Sequence, residues 1–101
     1  MAKVEWAGTA LIDLREIYDY VARDSSRYAQ IVVEQITEAA SRLGHFPQLG
    51  AALSEYTEQT YRQVVVGSYR LIYRDDLASD RILVMAVIHG HRDLPPILEK
   101  R

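Results

Sequence analysis

The apolar residues of this chain recur at one interval up to about residue 43 and at another from residue 61 onward, and that change limits the possible folds more than any other feature. Leu11, Leu14, Tyr18 and Val21 follow one another at steps of three and four, with Ile17 widening the stripe, while Asp13, Glu16, Asp19 and Arg23 fall opposite. A stripe at that spacing is the buried face of an α-helix. Thr9 is its expected N-cap, and Asp13 with Glu16 places negative charge toward the positive end of the helix dipole. Asp24, Ser25 and Ser26 interrupt the pattern with side chains that cap helices, and a second stripe then runs through Ala29, Val32, Val33, Ile36, Ala39, Ala40 and Leu43. Gly44 is expected to close this helix in the left-handed conformation, and Pro47 prevents its continuation. The two stripes therefore predict a helical hairpin.

Before the hairpin, Val4 and Trp6 predict a short strand. Residues 45–60 hold no sustained period and read as a loop. Residues 61–66 and 69–74 are rich in β-branched and aromatic side chains, and Gly67-Ser68 between them is a two-residue connection suited to a type II′ hairpin turn. That turn sets a register. Val66 faces Tyr69, Val64 faces Leu71 and Arg62 faces Tyr73 on a mostly apolar side; Val65 faces Arg70, Gln63 faces Ile72 and Tyr61 faces Arg74 on the other. The second side, with two arginines, reads as a working surface. A polar turn is expected over residues 75–80. Residues 82–88 are apolar on both faces and belong inside a sheet. Past them, Met85, Val87, His89 and His91 are expected to alternate to one face. The fold class is thus α+β: an N-terminal short strand, an α-helical hairpin, then a three-stranded antiparallel meander, all in one domain over residues 1–101.

A chain of 101 residues buries roughly two-thirds of its unfolded surface on folding, enough for one core without staples. With no cysteine, disulfides, thiolate zinc sites and cysteine nucleophiles are excluded. Lys3, Glu5, Asp13, Arg15, Glu16 and Asp19 leave no room for the apolar core of a signal peptide. The longest apolar run, residues 82–88, falls far short of the roughly 20 residues that span a bilayer. A cytoplasmic protein without membrane partners is expected. The net charge of −2 is unlike that of a general nucleic-acid binder, yet of the 12 basic residues all but Lys3 and Lys100 are arginine, which suits fixed contacts to carboxylate or phosphate.

The chain contains no phosphate-binding glycine loop, nucleophile elbow, H-E-x-x-H helix or acidic calcium loop. No cofactor is expected. The densest polar stretch, H-G-H-R-D at 89–93, joins Arg70 and Arg74 as the candidate site, with Tyr61 on the same ribbon face as the two arginines. His89 and His91 stand two apart, but no third ligand is spaced to complete a metal site, so a histidine pair at the sheet rim is the simpler reading. Imidazole titrates near neutrality, which gives His91 the chemistry of a general acid. Arg70 and Arg74 read either as surface charges paired with carboxylates or as contact residues, and Arg92-Asp93 as a solvated turn. Tyr69 and Tyr73 are read as core.

Four segments carry a resemblance to a known family: A-L-I-D-L-R-E-I-Y-D-Y at 10–20, L-G-H-F-P-Q-L-G at 43–50, Y-R-L-I-Y-R at 69–74 and I-L-V-M-A-V-I-H-G-H-R-D-L at 82–94. In this order they resemble the RelE/ParE toxin superfamily of type II toxin-antitoxin systems. The resemblance implies a toxin neutralised by direct binding of a cognate, ParD-like antitoxin in a hetero-oligomer. RelE-like members cut messenger RNA on the ribosome; ParE-like members poison DNA gyrase. In a nuclease of this kind Arg70 would match the arginine of the R-L-x-Y strand, and His91 with Arg92 would stand near the reacting phosphate. However, Arg92 replaces the tyrosine of the subgroup with a C-terminal histidine, and no glutamate base has a clear match, Glu55 lying in the variable loop. A-V-I-H followed by D-L, and D-L-R-E-I in the first helix, resemble ParE more closely. A ParE-like gyrase poison is therefore the favoured expectation, with a ribosome-dependent endonuclease second and an inactive antitoxin-binding member third. On the first reading Tyr61, Arg70, Arg74, His89, His91 and Arg92 contact target or antitoxin, and apolar grooves beside the helices seat the antitoxin chain.

Overall fold

The computed structural model describes residues 1–53, 61–76 and 78–90. Its elements are β1 (Lys3–Trp6), α1 (Gly8–Ala22), α2 (Ser26–Arg42), β2 (Ala51–Ala52), β3 (Tyr61–Val66), β4 (Tyr69–Asp76) and β5 (Arg81–His89). The strands form a five-stranded sheet in the order β1-β5-β4-β3-β2. The α+β class, the helical hairpin and the β3-β4-β5 meander are as the sequence predicts. Two features are additional: β1 pairs with β5 in parallel, and the loop after α2 contributes the two-residue strand β2 to β3. A strand that short carries no period of its own.

Both helices form, with ends set by contacts that periodicity does not display. Ser25 caps α2 as expected, its hydroxyl oxygen accepting from the Tyr28 N–H at 3.1 Å. At α1 the N-cap is Ala7, without a side-chain hydrogen bond. The Thr9 hydroxyl instead donates to the Met85 carbonyl across the helix–sheet boundary, at 3.0 Å. The buried line of α1 is also turned from the predicted stripe: Ala10 is fully buried with Leu14 and Ile17 beside it, whereas Leu11 is 52% exposed. Gly44 does not take the left-handed conformation, since α2 ends on a right-handed Leu43. Close approach of β1 is what requires glycine there: the Ala2 N–H donates to the Gly44 carbonyl at 2.8 Å, and a Cβ on Gly44 would stand 2.9 Å from the Ala2 oxygen.

The β3-β4 register matches the six pairs predicted, and Gly67 has φ +59° while Ser68 does not, as a II′ turn requires. Strand β4 then runs on through Asp75 and Asp76 instead of turning, and Asp75 is buried. Between β4 and β5 the register shifts: Ile72 pairs with Ala86 but Tyr73 with Val84, leaving Met85 as an extra residue. This bulge defeats the expected alternation of Met85 and Val87 to one face. Val87 joins Ile82 and Val84 against the helices, while Met85 and Ala86 lie together on the far side.

The sheet consequently has apolar packing on both faces. Toward the helices, Leu71, Tyr73, Ile82 and Val84 pack with Ile36, Ala40 and Leu43. On the other face Ile72, Tyr61, Met85 and Ala86 gather with Leu53. One polar network is embedded in the first core. The Tyr73 hydroxyl donates to the Pro47 carbonyl at 2.8 Å and accepts from the Gly50 N–H at 2.9 Å, and Arg62 donates to the Gly50 carbonyl at 2.8 Å. Burial pushes the Tyr73 hydroxyl and the Asp75 carboxyl above their usual pKa values; for Asp75 the Arg62 charge opposes the rise.

Candidate functional site

Alternation along β4 distributes the predicted site residues. Leu71 and Tyr73 point into the helix-side core, so Arg70, Ile72 and Arg74 share the opposite face. Arg70 is cross-paired with Val65 and Ile88, and its guanidinium donates to the Gln63 amide oxygen at 2.8 Å. Arg74 is cross-paired with Tyr61 and Leu83. Tyr61, predicted as a contact residue, is only 1% exposed and belongs to the second core, because Ile72 and its neighbours make that face partly apolar packing. The face keeps two half-buried arginines, but it is not an open basic surface.

His89, at the end of β5, is exposed and lies on the helix side with Tyr69, their rings 5.8 Å apart and edge to face. The pairing sets Ile88, not His89, beside Arg70. The expected union of His89 with Arg70 and Arg74 therefore fails: the sheet separates them. His91, Arg92 and Asp93 lie outside the described residues, as does Glu55. Among the described residues no group of three His, Cys, Asp or Glu side chains is placed to hold a metal.

A second surface arises because β1 is shorter than the strand it pairs with. Trp6, its last residue, is aligned with Val84, and among the described residues no strand flanks β5 on that side from Met85 to His89. Helix α1 crosses the gap and uses side chains where a strand would use backbone. Thr9 donates to the Met85 carbonyl, and the Val87 N–H donates to Asp13 Oδ2 at 3.0 Å. Beside this contact, between the helices and the sheet, lies a groove of about 700 Å³. Asp13, Glu16 and Tyr20 of α1 form one wall and Tyr28 of α2 another, Val32 and Val87 lie at its base, and Tyr69 and His89 stand at the sheet end.

Among the described residues the groove is acidic and aromatic, with no lysine or arginine in its lining. Burial raises the Asp13 carboxyl above its usual pKa; the Val87 hydrogen bond opposes the rise and nearby Glu16 adds to it. The Tyr69 hydroxyl is likewise raised, chiefly by burial and then by the Tyr28 and Tyr20 hydroxyls, and all three residues line the groove. Tyr20 and Tyr28 are 66% and 58% exposed, and the Arg23 guanidinium carbon sits 4.6 Å from the centre of the Tyr20 ring. Periodicity passed over this groove because both tyrosines lie off the core stripe of their helices. Exposed aromatics on either side of the turn of a predicted hairpin were the available signal.

Residues 4–94 match the model of the ParE toxin of the type II toxin-antitoxin system parDE. The chain belongs to the ParE toxin family. No curated protein matches its sequence significantly. Among solved structures this ParE-family chain is similar to one from the chromosomal ParDE system of P. aeruginosa, with 22% identity over 88% of this chain and 96% of that one, at a TM-score of 0.72. It is also similar to a chain of the RelBE2 toxin-antitoxin complex of Mycobacterium tuberculosis, with 23% identity, 87% and 96% coverage and a TM-score of 0.63. The isolated E. coli RelE toxin matches at 17% identity, 92% and 88% coverage and a TM-score of 0.62. At these identities the structural likeness establishes a shared fold between the ParE-family chain and both kinds of toxin. No helix among the described residues of the ParE-family chain is long and apolar enough to cross a membrane.

Proposed function

We propose that this ParE-family toxin is held silent by direct binding of a ParD-like antitoxin and, when free, acts on DNA gyrase in the cytoplasm. The observation that carries the reading is the match to the ParE toxin model over residues 4–94, nearly the whole chain. The likeness to a chain of the P. aeruginosa ParDE system supports it. A gyrase poison needs contact residues and no catalytic group.

On this reading Arg70 and Arg74 are contact residues on the face away from the helices, and the groove beside α1 receives the antitoxin; His91 and Arg92, outside the described residues, are contact residues as well. Position Arg70, in the R-L-I-Y strand, also fits a RelE-like messenger RNA endonuclease, and the fold is shared with RelE. Arg70→Ala separates the arginine's role from stability. Induced in bacterial cells at equal soluble levels, the variant is expected to arrest growth about tenfold less efficiently, with its melting temperature nearly unchanged. Undiminished arrest removes Arg70 from the contact surface, and growth unaffected by the unsubstituted chain identifies it as an inactive antitoxin-binding member.

A further inference from the structure

The groove beside α1 has a chemistry that selects its occupant. Its base is apolar, from Val32 and Val87, and is flanked by an edge of β5 that no described strand covers. Two carboxylates line it, Asp13 and the exposed Glu16, and among the described residues neither is in an ion pair. Asp13 uses one oxygen to hold the Val87 N–H and retains acceptor capacity on the other. Exposed Tyr20 and Tyr28 supply ring faces that attract cations, and the Arg23 guanidinium already lies over Tyr20, so this ring accepts an arginine within the chain itself. Among the described residues the lining itself holds no lysine or arginine, Arg23 standing outside it over the Tyr20 ring.

We infer that the groove binds a segment of the partner protein that presents an arginine or lysine between apolar side chains, the cation lying against Tyr20 and Tyr28 and paired with Glu16 and Asp13. This rests on the antitoxin reading and adds to it the chemistry of the residue recognised. Apolar neighbours in the segment cover Val32 and Val87, and the cation fixes its position along the groove, as a rigid aromatic and charged anchor does in other interfaces. The same carboxylates disfavour nucleic acid at this surface.

The test uses the full chain, isotopically labelled, titrated by NMR with the peptide acetyl-Ser-Leu-Arg-Leu-Ser-amide and with versions carrying citrulline or glutamate in place of the arginine. The arginine peptide is expected to shift the amides of Glu16, Tyr20 and Tyr28 and to bind about five- to tenfold more tightly than the citrulline peptide. Glu16→Gln, an exposed change that leaves the fold intact, is expected to reduce that preference severalfold, and Asp13→Asn, which keeps an oxygen for Val87, to reduce it further. Equal binding of the glutamate peptide, shifts at these amides on adding a uridine hexanucleotide, or no groove shift at millimolar arginine peptide each overturns the inference. Neutralisation is scored separately in cells: antitoxin that still relieves growth arrest while the peptides ignore charge removes the cation site and leaves the antitoxin reading standing. Growth arrest that no antitoxin relieves counts against the antitoxin reading itself.

Discussion

Tyr73 shows how much of this fold depends on single buried polar atoms. Its hydroxyl is fully enclosed and joins the loop after α2 to the sheet through Pro47 and Gly50, so removing it leaves a carbonyl and an N–H without their partner. Tyr73→Phe is expected to lower stability by about 1–3 kcal/mol, measured as a fall in urea midpoint without a change in slope. Asp13 presents the opposite balance. Its folded pKa, like that of Asp75, lies above the ordinary value of 3.8, so each binds its proton more tightly in the folded chain than in the unfolded one. Their ionisation therefore costs stability progressively as pH rises from about 3.8 through each raised value. Asp13→Asn escapes the cost and keeps an oxygen for the Val87 N–H, so at neutral pH it is expected to be at least as stable as the unsubstituted chain. Asp13→Ala removes the acceptor and is expected to be about 1–2 kcal/mol less stable. Denaturation of both variants at neutral and acidic pH checks the sign; an Asn variant as damaged as the Ala variant contradicts it.

At the scale of elements, α2 is the part most fully determined locally. Replacing its cap, Ser25→Ala, is expected to cost about 0.5–2 kcal/mol in a thermal or urea melt, since the Tyr28 N–H loses its acceptor. Elements whose signal lies within a few neighbouring residues were legible in the sequence: the α2 stripe and its cap, the Gly67-Ser68 turn with the six-pair register it dictates, and the apolar run of β5. Features fixed by distant contacts were not. Thr9 looked like a cap because its hydroxyl is near a helix start, but the free Met85 carbonyl claims it. Gly44 looked like a helix terminator, yet it answers to the approach of Ala2. The bulge at Met85 exchanges faces along β5, and no local pattern marks it. The site was legible to the same degree. The positions of Arg70 and Arg74 on one face followed from the turn, while the burial of Tyr61 and the acidic groove arise from packing between segments far apart in sequence.

The whole molecule presents two unlike surfaces on one sheet. One carries half-buried Arg70 and Arg74 around an apolar patch, and the other, beside the helices, carries carboxylates and tyrosines over an apolar base. On the proposed reading, in which the toxin engages gyrase and is silenced by an antitoxin, such a division would let charge sort the two encounters: groups that attract an arginine-bearing segment repel nucleic acid, and arginines do the reverse. The proposed target of the ParE-family chain is gyrase. The most direct test of this proposal is incubation of the purified chain with DNA gyrase and supercoiled DNA, scoring cleavage complexes and supercoiling, beside a ribosome-dependent messenger RNA cleavage reaction. The expected result is accumulation of gyrase-DNA cleavage complexes, their reversal by antitoxin, and intact messenger RNA. Unimpaired gyrase together with cuts in ribosome-bound messenger RNA would contradict it and make Arg70 a candidate catalytic residue.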